Sequence, residues 1–153
     1  MVNNDKLVYG GDLMLFLATG ATVMALAFST SAKLAISMDT REISSKDSTG
    51  DFKDYAAGKF GWTVSSDALV NYSSTGNTNS VDELYTMMIS KSLVNIAFAS
   101  KAGTSTSPSW TVSTTSKKYT GQAYITSIDL NASDNDNATY SINLQGTGAL
   151  VQA

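Results

Sequence analysis

A chain of 153 residues is long enough for one domain with a real core, and without Cys or His it has no disulfide, no thiolate metal site and none of the commonest acid–base and metal ligand. A formal net charge of −3 argues against a nucleic-acid binder, whose affinity rests on Lys and Arg set against phosphates; Lys117-Lys118 is the densest cationic cluster. Charged residues make up 15% of the chain, below the usual value of about 25%, and 22 Ser and 18 Thr cover the surface instead, which leans the fold toward β because branched Thr suits a pleated strand.

Leu13 to Ala18 and Val23 to Phe28 read as two short strands around Thr19-Gly20-Ala21-Thr22. The same apolar run imitates a signal peptide, but Asp5 and Asp12 spoil the positive leader such a signal needs, and the run is too short and too interrupted for a membrane span. From Lys33 the alternation is clean, with Leu34, Ile36 and Met38 on one face and Lys33, Ala35, Ser37 and Asp39 on the other. From about 40 to 61 the apolar period disappears, and this stretch reads as a long loop. Loops of that length are uncommon in compact domains and call for a function, and Phe52, Tyr55 and Phe60 suggest that contact with the same subunit or a neighbour orders this one. Trp62, Val64 and Ser66 open a further strand that runs to Val70, and a polar loop follows from Asn71 to Ser80.

Ser80 and Glu83, three residues apart, predict a capping box opening one short helix over about 81–91, with Val81, Leu84, Met87 and Met88 on one stripe. Val94, Ile96 and Phe98 form the next strand, ended by the Lys101–Ser109 turn with Pro108, and Trp110-Thr111-Val112 can pair with it. Two long strands close the chain, Gln122 to Asn131 and Ala138 to Val151. In the first, Ala123 and Ile125 have one parity and Ile128 and Leu130 the other, which predicts a β-bulge near Thr126 or Ser127. In the second, Tyr140, Ile142 and Leu144 alternate until Gly146 and Gly148 loosen the pattern. The sum is a mainly β chain, a β-sandwich or barrel of about seven strands with one helix over residues 81–91, in a single domain over 1–153.

Chemical motifs are few. Asp134-Asn135-Asp136 begins like a calcium loop, but Gly is missing from the sixth position and Gln145 stands at the twelfth, so a turn is the better reading. The sequons at Asn71, Asn131 and Asn137 are what a chain this rich in Asn, Ser and Thr holds by chance. Lys46 near Ser44, and Lys91 beside Ser90 and Ser92, are the conceivable Ser–Lys pairs and read better as solvated charges. Asp39, Glu42, Asp82 and Glu83 could supply paired carboxylates, yet nothing selects two of them. Trp62 and Trp110 could form a sugar-stacking platform, although Trp62 in an alternating strand is more often core. No catalytic residue, cofactor site or metal site is nominated, and the chain reads as a non-enzyme.

The stretch Leu34-Ala35-Ile36-Ser37-Met38-Asp39-Thr40-Arg41-Glu42-Ile43-Ser44-Ser45-Lys46-Asp47, leading to Gly58-Lys59-Phe60-Gly61-Trp62-Thr63-Val64-Ser65, resembles the major tail tube proteins of tailed bacteriophages, the TP901-1-like major tail proteins. The helix and the closing Gly146-Thr147-Gly148 strand fall in the expected order, with Ser44-Ser45 where the family pattern often has Thr. The resemblance covers about residues 10–150. It implies a subunit of hexameric rings stacked into a hollow tube, built in the bacterial host cytoplasm and carried in the virion tail. Its partners would be a tape measure, tail-tip or terminator proteins and a sheath if the tail is contractile, with no membrane. Phage DNA would pass through the lumen without specific binding, and an acidic, hydroxyl-rich chain suits a conduit that must not grip phosphates.

On this reading 40–61 is an inter-subunit arm with Lys46, Asp47, Phe52, Tyr55 and Phe60 as interface candidates, and Met1 to Gly11 is a second arm. The competing readings are the inner tube of a phage-like injection particle, a secreted carbohydrate-binding β-sandwich, and an enzyme using carboxylates alone.

Overall fold

Strand follows strand along the computed structural model, which describes residues 8–47, 50–72, 78–102 and 110–153. After a 3-10 turn at Gly10–Asp12 come β1 (Leu13–Ala18), β2 (Met24–Leu26), β3 (Ser29–Glu42), β4 (Tyr55–Leu69), β5 (Thr78–Asn79), the helix α1 (Val81–Ile89), β6 (Val94–Ala102), β7 (Thr111–Val112), β8 (Lys118–Asn131) and β9 (Thr139–Gln152). They form one sheet in the order β3-β4-β9-β8-β6-β1-β2-β5, with β7 added on β6. Neighbours are antiparallel except β2 and β5.

That order forces the sheet to curl. β3 lies at one end and β2 six strands away, yet only Ala27 and Phe28 separate them in sequence. Three peptide units reach at most about 11 Å, whereas six flat strand spacings of about 4.8 Å would need about 29 Å. The sheet therefore wraps round until its ends meet, the sandwich-or-barrel class expected of the sequence. Phe28 makes the crossing at φ 52°, and its carbonyl accepts from Leu69 N–H at 3.1 Å.

The inside of the curl is the core. Leu15 and Leu17 of β1, Val64 of β4, Ile96 of β6 and Ile142 and Leu144 of β9 are all at most 2% exposed. The helix packs Val81 and Leu84 into the same core, each burial stabilising by about 1.5–3 kcal/mol. Its start is the capping box expected: the Glu83 carboxylate accepts from Ser80 N–H at 2.9 Å, and the Ser80 side chain accepts from the Glu83 backbone. On the outer face of β1 and β6, Phe16, Ala25, Ala97 and Ala99 form a smaller cluster covered by Trp110 and Val112. The apolar run that imitates a signal peptide thus supplies β1 and β2, and no helix among the described residues is long and apolar enough to cross a membrane.

The predicted bulge is present, since Ile125 pairs with Leu144 but Ser127 with Asn143. Three expectations are corrected. Among the described residues the strands number nine and not about seven, because β5 and β7, two residues each, are defined by tertiary pairing. The helix ends at Ile89, with Lys91 at φ 54° turning the chain away. The long loop at about 40–61 is strand at both ends: β3 runs to Glu42 and β4 begins at Tyr55, leaving a connection of residues 43–54. Of the expected N-terminal arm over 1–11, residues 1–7 lie outside the described residues.

Candidate assembly interface

β3 and β4 outrun the rest of the sheet. β4 pairs with β9 from Leu69 only as far as Thr63, opposite Gln145, and from there to Tyr55 it pairs with β3 alone. The result is a two-stranded arm. Its tip is tied by Ile43 N–H to the Asp54 carbonyl at 2.9 Å, Asp54 N–H to Ser44 Oγ at 2.8 Å, and a Lys53–Glu42 ion pair at 3.3 Å.

The arm has two unlike faces. Residues directly opposite one another share a face, so the pairs Leu34 with Val64, Ile36 with Trp62, and Met38 with Phe60 carry the core-facing side straight out along the arm. Past an irregularity between Met38 and Thr40, Thr40 with Ala57 and Glu42 with Tyr55 continue it. The opposite face holds Ser37 with Gly61 and Arg41 with Ala56. Inside the body this side is core; on β3 it is exposed from Ile36, opposite Trp62, and on β4 beyond Trp62, with Ile36 56%, Tyr55 55% and Phe60 75% exposed. Isolated apolar residues on a surface are ordinary, but a row continuous with the core marks a contact surface.

Of the interface residues nominated by sequence, Tyr55 and Phe60 lie on this apolar face, while Phe52, 92% exposed, and Lys46 and Asp47, both exposed, sit in the connection at the tip. Ile36 and Met38 belong to the same surface and were legible only as a strand face. The signal was their parity with the core position Leu34, on a strand that has no second neighbour among the described residues.

Trp62 marks the root of the arm. It is 4% exposed, its indole N–H donates to the Gly148 carbonyl at 3.2 Å, and the Gln145 amide donates to its own carbonyl at 3.2 Å. Trp110 packs in the outer cluster with the Lys101 ammonium 4.5 Å from its ring centre. One Trp in the core and one on the outer face do not make a common sugar platform.

Asp67 accepts from Ser141 Oγ at 2.6 Å and Ser31 Oγ at 2.9 Å, and these bonds, the Ser141 one foremost, hold its pKa below the ordinary 3.8. Asn137 N–H donates to the Asp136 side chain at 2.7 Å, as a turn would have it. Ser90 bonds Met87 O and Ser92 Oγ, at 3.1 and 2.7 Å. Among the described residues no three acidic side chains gather into a metal-binding group.

Residues 9–152 match the model of a family described as phage tail tube protein. No curated protein matches the chain in sequence. Among solved structures, the chain is similar to a protein in the tail of an empty gene transfer agent particle refined with C6 symmetry, at TM-score 0.75 and 17% identity over 96% of this chain and 99% of that one. It is also similar to the SPP1 tail tube, at 0.69 and 11% over 95% and 78%, and to a chain of the sheath-tube complex of an extracellular contractile injection system, at 0.59 and 16% over 98% and 93%. These likenesses are of fold, and the family match spans nearly the whole chain: the protein belongs to the phage tail tube protein family.

Proposed function

We propose that this chain is the repeating subunit of a phage tail tube, polymerising as six-membered rings that stack into a hollow conduit for the genome. The observation that carries the proposal is the β3–β4 arm, whose apolar face continues the core outward and is left exposed by the described residues. A second copy is the natural cover, because a head-to-tail contact repeats until it closes into a ring or extends into a filament. The six-fold symmetry of the gene transfer agent tail supports the ring number.

In this reading Phe52, Tyr55 and Phe60 anchor the arm on the adjacent subunit or ring, with Lys46 and Asp47 at its tip. The exposure of Val8 and Tyr9, 67% and 75%, supports the reading of Met1 to Gly11 as a second arm, of which residues 1–7 lie outside the described residues. The net charge of −3 suits a lumen through which DNA slides without being held. A tape measure, tail-tip or terminator proteins and, in a contractile tail, a sheath complete the set of partners. The role is structural. The fold's likeness to the contractile injection system supports a second reading, the inner tube of an injection particle, which uses the same arm in the same way.

Negative-stain electron microscopy of the purified protein across a concentration series, with sedimentation alongside, tests the proposal. Rings or hollow tubes of uniform width are expected. A protein that stays monomeric at every concentration, even when seeded with tail-tip complexes, contradicts it.

A further inference from the structure

The arm leaves the body at a single residue. Trp62 is the first position of β4 beyond its ladder with β9 and the last that is buried; Phe60, two residues on, is 75% exposed. Its seat is made of glycine. A Cβ at Gly146 of β9 would collide with the fused bond of the indole, and one at Gly121 of β8 would stand 2.7 Å from Cζ2. Both glycines lie inside strands, where Gly is unfavourable, and among the described glycines only Gly50 and Gly148 have positive φ. Their use is therefore close approach, not a turn. The seat is completed by the indole bond to Gly148 O and by the Gln145 amide, which serves the Trp62 carbonyl where the ladder stops.

We infer that Trp62 is a positioning residue for assembly: seated on Gly121 and Gly146, it fixes the direction in which the arm leaves the sheet and so presents Ile36, Met38 and Phe60 to the next copy. A lone two-stranded ribbon is marginally stable in water, and an arm free to swing would lose that freedom on docking, at a cost to affinity. Holding the root removes that cost in advance. The inference rests on the tube reading above and adds what aims the arm.

The chain has no Cys, so Arg41→Cys on the arm and Asp129→Cys on β8 can be spin-labelled as a unique pair. Electron–electron distance measurement on dispersed protein is expected to give one narrow distribution in the parent and in Trp62→Phe, which keeps a ring on the glycines, and a broad one in Trp62→Leu and Gly146→Ala. In unlabelled protein the assembly threshold of those two rises by about tenfold or more, the scale of 1.4 kcal/mol of contact. The double variant Trp62→Leu/Gly146→Ala separates aim from stability: its added methyl enters space the indole leaves, so its melting temperature returns to that of Trp62→Leu while the distribution stays broad and assembly weak. A narrow distribution in Trp62→Leu, or assembly that recovers with melting temperature in the double variant, overturns the inference and leaves Trp62 as core filling. The distances are read without assembly, so they decide on Trp62 even if the parent forms no tube.

Discussion

Phe60→Ser separates the arm's contribution to assembly from its contribution to folding. The ring is already 75% exposed in the lone subunit, so its removal should move monomer stability by no more than about 0.5 kcal/mol. In an assembled tube the same ring would be covered. A Phe side chain offers on the order of 200 Å², three quarters of which is about 150 Å², and at about 25 cal/mol per Å² its burial is worth up to about 4 kcal/mol per contact. Ordering costs reduce that figure, so a loss of about 2 kcal/mol, roughly a thirtyfold rise in the concentration at which tubes form, is the expected outcome. Light scattering against concentration reads the threshold, and urea unfolding of dispersed protein reads the monomer. A threshold unchanged from the parent, with monomer stability also unchanged, would refute the reasoning and take the apolar face out of the interface.

Other expectations concern the subunit alone. Ser80→Ala removes the acceptor that closes the first turn of α1 and should cost about 1 kcal/mol, lowering the melting temperature by about 2–4 °C in calorimetry. Asp67 has a folded-state pKa depressed by Ser141 and Ser31, so its contribution is present above the unfolded pKa and is lost as pH falls through the folded one. Asp67→Asn should accordingly flatten the acid limb of stability against pH, read as urea midpoints at descending pH; an unchanged limb would remove Asp67 from the account. Tyr140 is 1% exposed, its hydroxyl has no hydrogen-bond partner among the described residues, and burial raises its pKa, so the phenol stays neutral. Tyr140→Phe should leave the melting temperature unchanged or raise it, because it removes a buried polar group that gains nothing.

Much of this fold was legible in the residues because burial on one side writes a period into a strand. Leu34, Ile36 and Met38 gave β3 its inner face, and the switch of parity between Ile125 and Ile128 located the bulge in β8 before any pairing was known. Ser80 and Glu83 gave the start of α1. Where neither face meets the core the period fades, and that is why Arg41, Glu42, Ala56, Ala57 and Gly58 looked like loop although they pair in register or border it. β5 was hidden for another reason. Thr78 and Asn79 are strand only through pairing with β2, and Asn79 is pinned there by its amide to the carbonyls of Leu17, at 2.7 Å, and Met24, at 3.2 Å.

The candidate surface was half legible. Phe52, Tyr55 and Phe60 stood out as aromatics in a stretch without a core period, but their division between the arm's face and its tip depends on register, which no local pattern carries. Gly146 and Gly148 read as a loosening of β9; in the structure one is the seat of Trp62 and the other, at φ 72°, carries the carbonyl that receives the indole N–H. A glycine's use is set by the side chain lying on it, and that neighbour is 84 residues away in the case of Gly146 (146 minus 62).

In the stacked tube proposed above, the apolar face of the β3–β4 arm is buried by another copy of this chain. A helical electron cryo-microscopy reconstruction of the assembled protein tests it most directly. Six-membered rings are expected in which Ile36, Met38, Tyr55 and Phe60 lose most of their exposure against a neighbouring subunit; a tube whose arms stand free in solvent, with contacts made elsewhere on the sheet, would overturn this interface.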